Sequence, residues 1–323
     1  MGHFEICGHG KAPAQITTSE ALNQYVGALT QRISERWRAA LLDSSDVRAR
    51  AVGLMSHRVE YYRHRQEQTR NDDPVSKAEE AAREELVQLA AGGGDPAVYA
   101  AATWICETGT SDAIATGACA MISLREWTRI DPDNAVAWLA LAREERDHGD
   151  FQAEAADFVR AAGAHKSDFY DDIFLQAALA EIPRDATPLQ RAALGIEALD
   201  YLALIPRVEL AEAGRFCSPE QLQHEERRPS CNALAELWVS HGKTLLEFGE
   251  GQALGVRVGW SPERRSRLGE EFKAMMGVVR LGDDNPWSCQ GVAQANEQLA
   301  GRVQGEVAYL RDKVERAGSP PPD

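Results

Sequence analysis

The feature that most constrains this chain is a recurrence at a fixed step. Asp95-Pro96, Asp131-Pro132 and Ser167-Asp168 begin at positions 95, 131 and 167, two steps of 36 residues. Each is followed by aromatic residues: Tyr99, then Trp138, then Phe169 with Tyr170. Asp or Ser ahead of a helix accepts hydrogen bonds from backbone N–H groups that have no partner, and Pro in the first turn forfeits nothing. A capping pair recurring at that step describes short helical hairpins, each with an apolar face that it covers only by stacking on a neighbour.

The central unit, residues 131–166, carries the pattern most fully. Val136, Leu139, Leu141 and Ala142 fall on one helical face beside Trp138. Gly149-Asp150 breaks the run, and Phe151, Ala155, Phe158, Val159 and Ala162 form a second one. Trp138, Leu141, the small Ala142, the turn at Gly149 and Phe158 resemble a tetratricopeptide repeat. Glu145 stands where that family has Tyr, Glu154 where it has Ala, and Lys166 where its closing Pro belongs. The resemblance implies an all-α fold of stacked antiparallel helical hairpins, an α-solenoid or α/α array. In such proteins the first helix of each pair lines a concave groove for a protein or peptide. Carried over, Val136, Leu139, Arg143 and Arg146 would face that groove with Ala100, Thr103 and Glu107 of the preceding unit. Arg143 and Arg146 would then meet an acidic segment or a terminal carboxylate, or else they merely solvate their helix.

Around this unit the chain divides into an irregular segment 1–16, N-terminal helices over 17–94, the repeat region 95–205, a C-terminal helical region 206–318 and a Pro-rich tail 319–323. Thr17 and Glu20 fit a capping box for a helix over 17–43, with Leu22, Tyr25, Val26, Leu29, Ile33, Trp37 and Leu41 as its stripe. Helices follow over 46–65 and 74–91, punctuated by Asn71-Asp72-Asp73 and by Gly92-Gly93-Gly94. Ser218-Pro219-Glu220 and Ser261-Pro262-Glu263 read as helix starts, and helices are expected over 231–248, 262–280 and 289–317. No stretch shows a convincing strand alternation, and the short exception, Leu254-Gly255-Val256-Arg257-Val258, reads as a helix or loop.

Composition narrows the function classes. The formal charge of −15 argues against a nucleic-acid backbone as partner. The charge is uneven, because residues 31–70 hold nine Arg against five acids. That stretch is either a solvated face or a contact for an anionic partner or membrane surface. No run is long enough to span a bilayer, and no signal peptide is visible at Met1. A segment upstream of it is a second route to membrane association. The sequence sets no oligomeric state.

Six cysteines without a Cys-x-x-Cys spacing weaken a zinc or thioredoxin reading. Cys106 and Cys119 flank a turn-rich loop between two expected helices, and Cys217 and Cys231 flank a polar stretch holding Ser218-Pro219 and Arg228-Pro229. Both loops return the chain beside itself, which predicts Cys106–Cys119 and Cys217–Cys231 bridges. Cys7 and Cys289 remain, with nothing local to join them. The alternative is six buried thiols in a cytoplasmic protein. Bridges require an oxidising compartment. The run Cys7-Gly8-His9-Gly10, Trp127 with Asp131-Pro132-Asp133-Asn134, and the spaced cysteine pairs resemble helical envelope proteins of proteobacteria. That resemblance favours a periplasmic site and implies no activity.

Chemistry-bearing motifs are few. Gly242-Lys243-Thr244 lacks the preceding Gly of a phosphate loop, with Leu237 in its place. Gly249, Gly251 and Gly255 lack the strand of a dinucleotide site and read as close helix packing or a turn. Glu145 and His148 have di-iron spacing but no second such pair. His3, Cys7 and His9 lack a fourth ligand. His57 and His64 sit beside Tyr61 and Tyr62 as an exposed or groove-facing cluster. No catalytic, cofactor or metal residue is therefore assigned. The expectation is a non-enzymatic scaffold for a protein or peptide partner. The rivals are an envelope enzyme with its chemistry in 206–318, marked by carboxylates of raised pKa in a closed pocket, and a structural assembly subunit.

Overall fold

A computed structural model describes residues 4–67, 74–107, 117–203, 205–279 and 285–318, and the side chains of 62–67, 74–76 and 279 are not described. The punctuating 71–73, the loop 108–116 and the tail 319–323 therefore lie outside the described residues, as do the side chains of Tyr62, His64, Arg63, Arg65 and Arg70. The described chain is all-α, with fifteen α-helices, three short 3-10 turns and one two-stranded ribbon.

The chain forms two compact units. The first holds residues 1–89, 171–205 and 281–304. Its helices are α1 (Ser19–Asp43), α2 (Val47–Glu67), most of α3 (Pro74–Gly93), α8 (Asp171–Ala180), α9 (Pro188–Leu202) and α14 (Cys289–Arg302). Helix α1 starts one residue later than the capping box suggested, because Thr18 rather than Thr17 accepts from Ala21 N at 3.2 Å. The expected stripe is its inner face: Leu22, Val26, Ile33, Trp37 and Leu41 are buried. Trp37 stacks on Tyr201 of α9 at 6.1 Å and donates its indole N–H to Ala178 O at 3.0 Å. Gly53 of α2 lies against Leu41, where a Cβ would come within 3.0 Å. Four arginines of the basic stretch are taken up inside this unit. Arg36 pairs with Asp185, Arg38 with Glu60, Arg50 with Glu85 and Arg58 with Glu79.

The described part of the N-terminal segment, residues 4–16, is more ordered than expected. Glu5–Ile6 (β1) pairs antiparallel with Gly10–Lys11 (β2). Two residues are too few to show an alternation, so the ribbon left no sequence pattern. Gly8 and Gly10 supply its turn with φ of +76°, which only glycine adopts freely.

The second unit holds residues 90–170, 206–280 and 305–323. It contains α4 (Pro96–Glu107), α5 (Leu124–Ile130), α6 (Ala135–Asp147), α7 (Phe151–Ala162), α10 (Val208–Phe216), α11 (Arg228–His241), α12 (Leu245–Val258), α13 (Pro262–Val279) and α15 (Glu306–Gly318). Helices α6 and α7 are the expected antiparallel hairpin, packed along their length. Phe158 of α7 stacks on Phe216 of α10 at 3.8 Å. Trp138 stays half-exposed, with its indole N–H on Pro132 O at 2.7 Å and the Arg160 guanidinium 4.9 Å from its ring.

The helices that follow the three recurring starts are divided between the two units. The third hairpin, from Asp171 to Ile205, belongs to the first unit. Asp95 caps α4 as expected, accepting from Ala97 N and Val98 N. Asp131 instead closes α5, and Asn134 is the cap of α6, because Pro132-Asp133 form a turn between them. Two long helices expected in the C-terminal region are each divided. The 231–248 stretch breaks where Gly242 ends α11 and Thr244, in a capping box with Glu247, starts α12. The 289–317 stretch breaks at Gly305, with φ +96°. Glycine spacing in α12 serves packing, as expected: a Cβ on Gly255 would sit 2.2 Å from the Trp260 ring, and one on Gly251 2.9 Å from Trp238 Cβ.

Candidate functional site

A sizeable cleft lies in the first unit, and a short loop builds its wall. Asn285 Oδ1 accepts from Trp287 N at 3.1 Å, turning the chain, and Ser288 caps α14 by accepting from Gly291 N at 3.0 Å. Gly291 lets that first turn fold onto the loop, since a Cβ there would lie 2.5 Å from Pro286 O. The N-terminal ribbon then grips the loop. Cys7 N donates to Trp287 O at 2.9 Å, Asn285 Nδ2 donates to Glu5 O at 2.6 Å, and Cys7 is bridged to Cys289. The Trp287 indole N–H donates to Asn23 Oδ1 at 2.7 Å, fixing the ring against α1.

Helices α9 and α14 cross closely below this loop. Gly195 makes that approach available, because a Cβ would sit 2.2 Å from Leu299 Cδ1. Asn296 Nδ2 also donates to Pro188 O at 3.1 Å. The space left between loop, α9 and α14 is a cleft of about 690 Å3. Ile196, Leu199, Pro286, Trp287, Ala295 and Leu299 make its surface mainly apolar. Asn23, Gln294 and Gln298 contribute amides, and Asp200 and Arg302 bring one charge of each sign. A cleft of this size with few polar groups is the usual form of a ligand site. Reading the sequence singled out none of these residues except Cys7 and Cys289. The available signal was Pro286-Trp287 ahead of the Ser288 cap, an aromatic placed where a loop meets a helix.

The residues expected to line a repeat groove lie elsewhere, in the second unit. Val136, Leu139 and Thr103 are buried in that unit's own core. Arg143 pairs with Glu107 at 2.6 Å, and Arg146 pairs with Asp147 and with Glu212 of α10. Helix α10 packs on α6, so the chain supplies its own acids to both arginines. Glu145 is paired with Arg125 at 2.5 Å, and His148 is the residue that closes α6. Lys243 of the Gly-Lys-Thr run pairs with Asp168 at 2.9 Å. Among the described residues no cluster of His, Cys, Asp and Glu could hold a metal ion. No helix among them is long and apolar enough to cross a membrane.

Burial raises the pKa of five described carboxyls of the second unit, Glu107, Glu144, Asp157, Glu209 and Glu247, and most strongly that of the last two. Burial lifts Glu247 to about 7, against four hydrogen bonds from Ser167 Oγ, Thr244 N, Thr244 Oγ and Lys243 N. These bonds tie the start of α12 to the 167–168 turn, and Trp238 adds its indole N–H to Ser167 Oγ at 3.0 Å. Burial and the nearby Glu107 lift Glu209 to about 8, while Arg143 and Arg207 oppose the shift. Among the described residues no other side chain is hydrogen-bonded to either Glu209 oxygen, and the backbone of Glu209 itself also opposes the shift. Both carboxyls are wholly buried, and neither lines the cleft.

The three disulfides are Cys7–Cys289, Cys106–Cys119 and Cys217–Cys231. The two local ones are those expected from the turn-rich loops. Comparison with protein-family models, with curated proteins and with solved structures found no match.

Proposed function

We propose that this chain is a non-enzymatic binding scaffold of an oxidising compartment, the bacterial envelope, and that it holds a peptide segment of a partner protein in the α9–α14 cleft. The cleft carries the reading. Its apolar surface of Ile196, Leu199, Trp287 and Leu299 offers burial for one or two apolar side chains. Its amides, Asn23, Gln294 and Gln298, each both donate and accept, which suits the N–H and C=O groups of a peptide backbone. The three disulfides support the compartment. The repeat hairpin at α6 and α7 is a stabilising element in this account, because its arginines are already paired within the chain.

Panning a displayed library of random short peptides against the parent and against Leu199→Glu tests this. Sequences with an apolar pair should enrich on the parent and be lost on the variant, with both proteins equally helical by circular dichroism. Equal enrichment on both would remove the cleft as the binding site.

A further inference from the structure

We infer that the Cys7–Cys289 bridge is a redox latch on the cleft, opened by a dithiol reductant; this rests on reading the cleft as the binding site. The three bridges differ in access. Cys106, Cys119, Cys217 and Cys231 are all buried. Cys7 is half-buried and Cys289 exposed. Exposed disulfides are the ones that thiols exchange with readily. The exposed bridge is also the one at the site. Cys289 opens α14, which supplies one wall of the cleft, and follows Pro286 and Trp287, which supply another. Cys7 lies beside the ribbon whose backbone holds Trp287 and Asn285. The bridge spans 282 residues and is the covalent tie between the ribbon and the start of α14.

The exchange follows the ordinary course of thiolate attack. One thiolate of the dithiol attacks Cys289 Sγ, and the Cys7–Cys289 bond breaks with its electron pair leaving on Cys7 Sγ. The second thiol of the reductant then displaces Cys289 Sγ and closes its own disulfide. Two electrons have moved from dithiol to bridge, and the protein holds two thiolates, which take up the two protons that the dithiol released. The Trp287 wall then loses its covalent tie to the ribbon and keeps the hydrogen bonds from Cys7 N and Asn285 Nδ2 and the packing of Ile6 in its core cluster. Binding in the cleft weakens because its wall is no longer preorganised.

The test uses the full oxidised chain and the probe 1-anilinonaphthalene-8-sulfonate. Limiting dithiothreitol followed by iodoacetamide and peptide mapping should label Cys7 and Cys289 before the other four cysteines. Labelling in any other order overturns the latch. Probe titrations then compare the parent, Leu199→Glu, Cys7→Ser with Cys289→Ser, and parent reduced by one equivalent of dithiol. Saturable binding by the parent, lost in Leu199→Glu, places the probe in the cleft. Weakening by about tenfold or more in the double variant and in the reduced parent then supports the latch. Affinities within about twofold of the parent overturn the latch while leaving the cleft reading intact. Unchanged binding by Leu199→Glu overturns the cleft reading, and the latch with it.

Discussion

Asn134 and Tyr170 stand 36 residues apart, one period of the recurrence, and are hydrogen-bonded, with Asn134 Nδ2 donating to the phenol oxygen at 3.1 Å. Asn134 Nδ2 is also within 3.0 Å of Asp131 Oδ2 and of Asp168 O, while its Oδ1 accepts from Val136 N and Asp168 N. Tyr170 donates in turn to Asp131, and Lys166 pairs with Asp131 at 2.8 Å. Burial and the Asp131 carboxylate push the Tyr170 phenol far above its ordinary value, so it remains a donor. Tyr170 holds a φ of +58°, which a side-chain-bearing residue adopts only where its surroundings enforce it. The period thus corresponds to a physical join between two successive turns.

Asn134→Ala should therefore cost about 2–4 kcal/mol, since it leaves several buried groups without partners. Urea denaturation followed by circular dichroism measures this. A loss below about 0.5 kcal/mol would show that water or neighbours replace the amide.

The α6–α7 hairpin supplies a second comparison. Phe158 is fully buried on Phe216, and Phe158→Ala should cost about 3–5 kcal/mol. Trp138, half-exposed under Arg160, should cost about 1–2 kcal/mol as Trp138→Ala, through lost cation–π contact and partial burial. Equal costs, read from denaturation midpoints, would contradict the burial described for the hairpin.

Glu209 links stability to pH. Its folded pKa, about 8, lies above the ordinary 4.5, so the folded chain keeps a proton that the unfolded chain releases. Its contribution is whole below pH 4.5 and falls as pH rises towards 8, with a slope approaching about 1.4 kcal/mol per pH unit. Glu247, raised to about 7, adds a decline in the lower part of the same window. Glu209→Gln keeps the neutral shape and should lessen the loss of stability between pH 5 and 8. A variant with the parent's slope would show that Glu209 is ionised in the folded chain.

What was legible in the sequence is what local spacing controls. The helical class, the α6–α7 hairpin, the inner face of α1 and the bridges closing 13- and 14-residue separations all follow from neighbours in sequence. Cys7–Cys289 was not legible, because its partners are 282 residues apart and only the folded first unit brings them together. The arginines of α6 show the same limit. Arg146 is visible on its helix, but Glu212, which neutralises it, comes 66 residues later. The cleft was hidden for that reason too, since Asn23, Ile196 and Trp287 share no motif. The exchange of the third hairpin into the first unit depends on which apolar faces fit, and a periodic pattern does not carry that information.

The cleft reading is tested most directly at the Trp287 indole. In 15N-labelled protein, an apolar peptide selected by panning should shift the Trp287 Nε1–H resonance saturably. The resonances of the buried Trp37, Trp104, Trp127 and Trp238 should stay in place. Trp287→Phe spectra assign the signal. Saturable shifts at other indoles with Trp287 unmoved would contradict the account and put the binding site elsewhere on the chain.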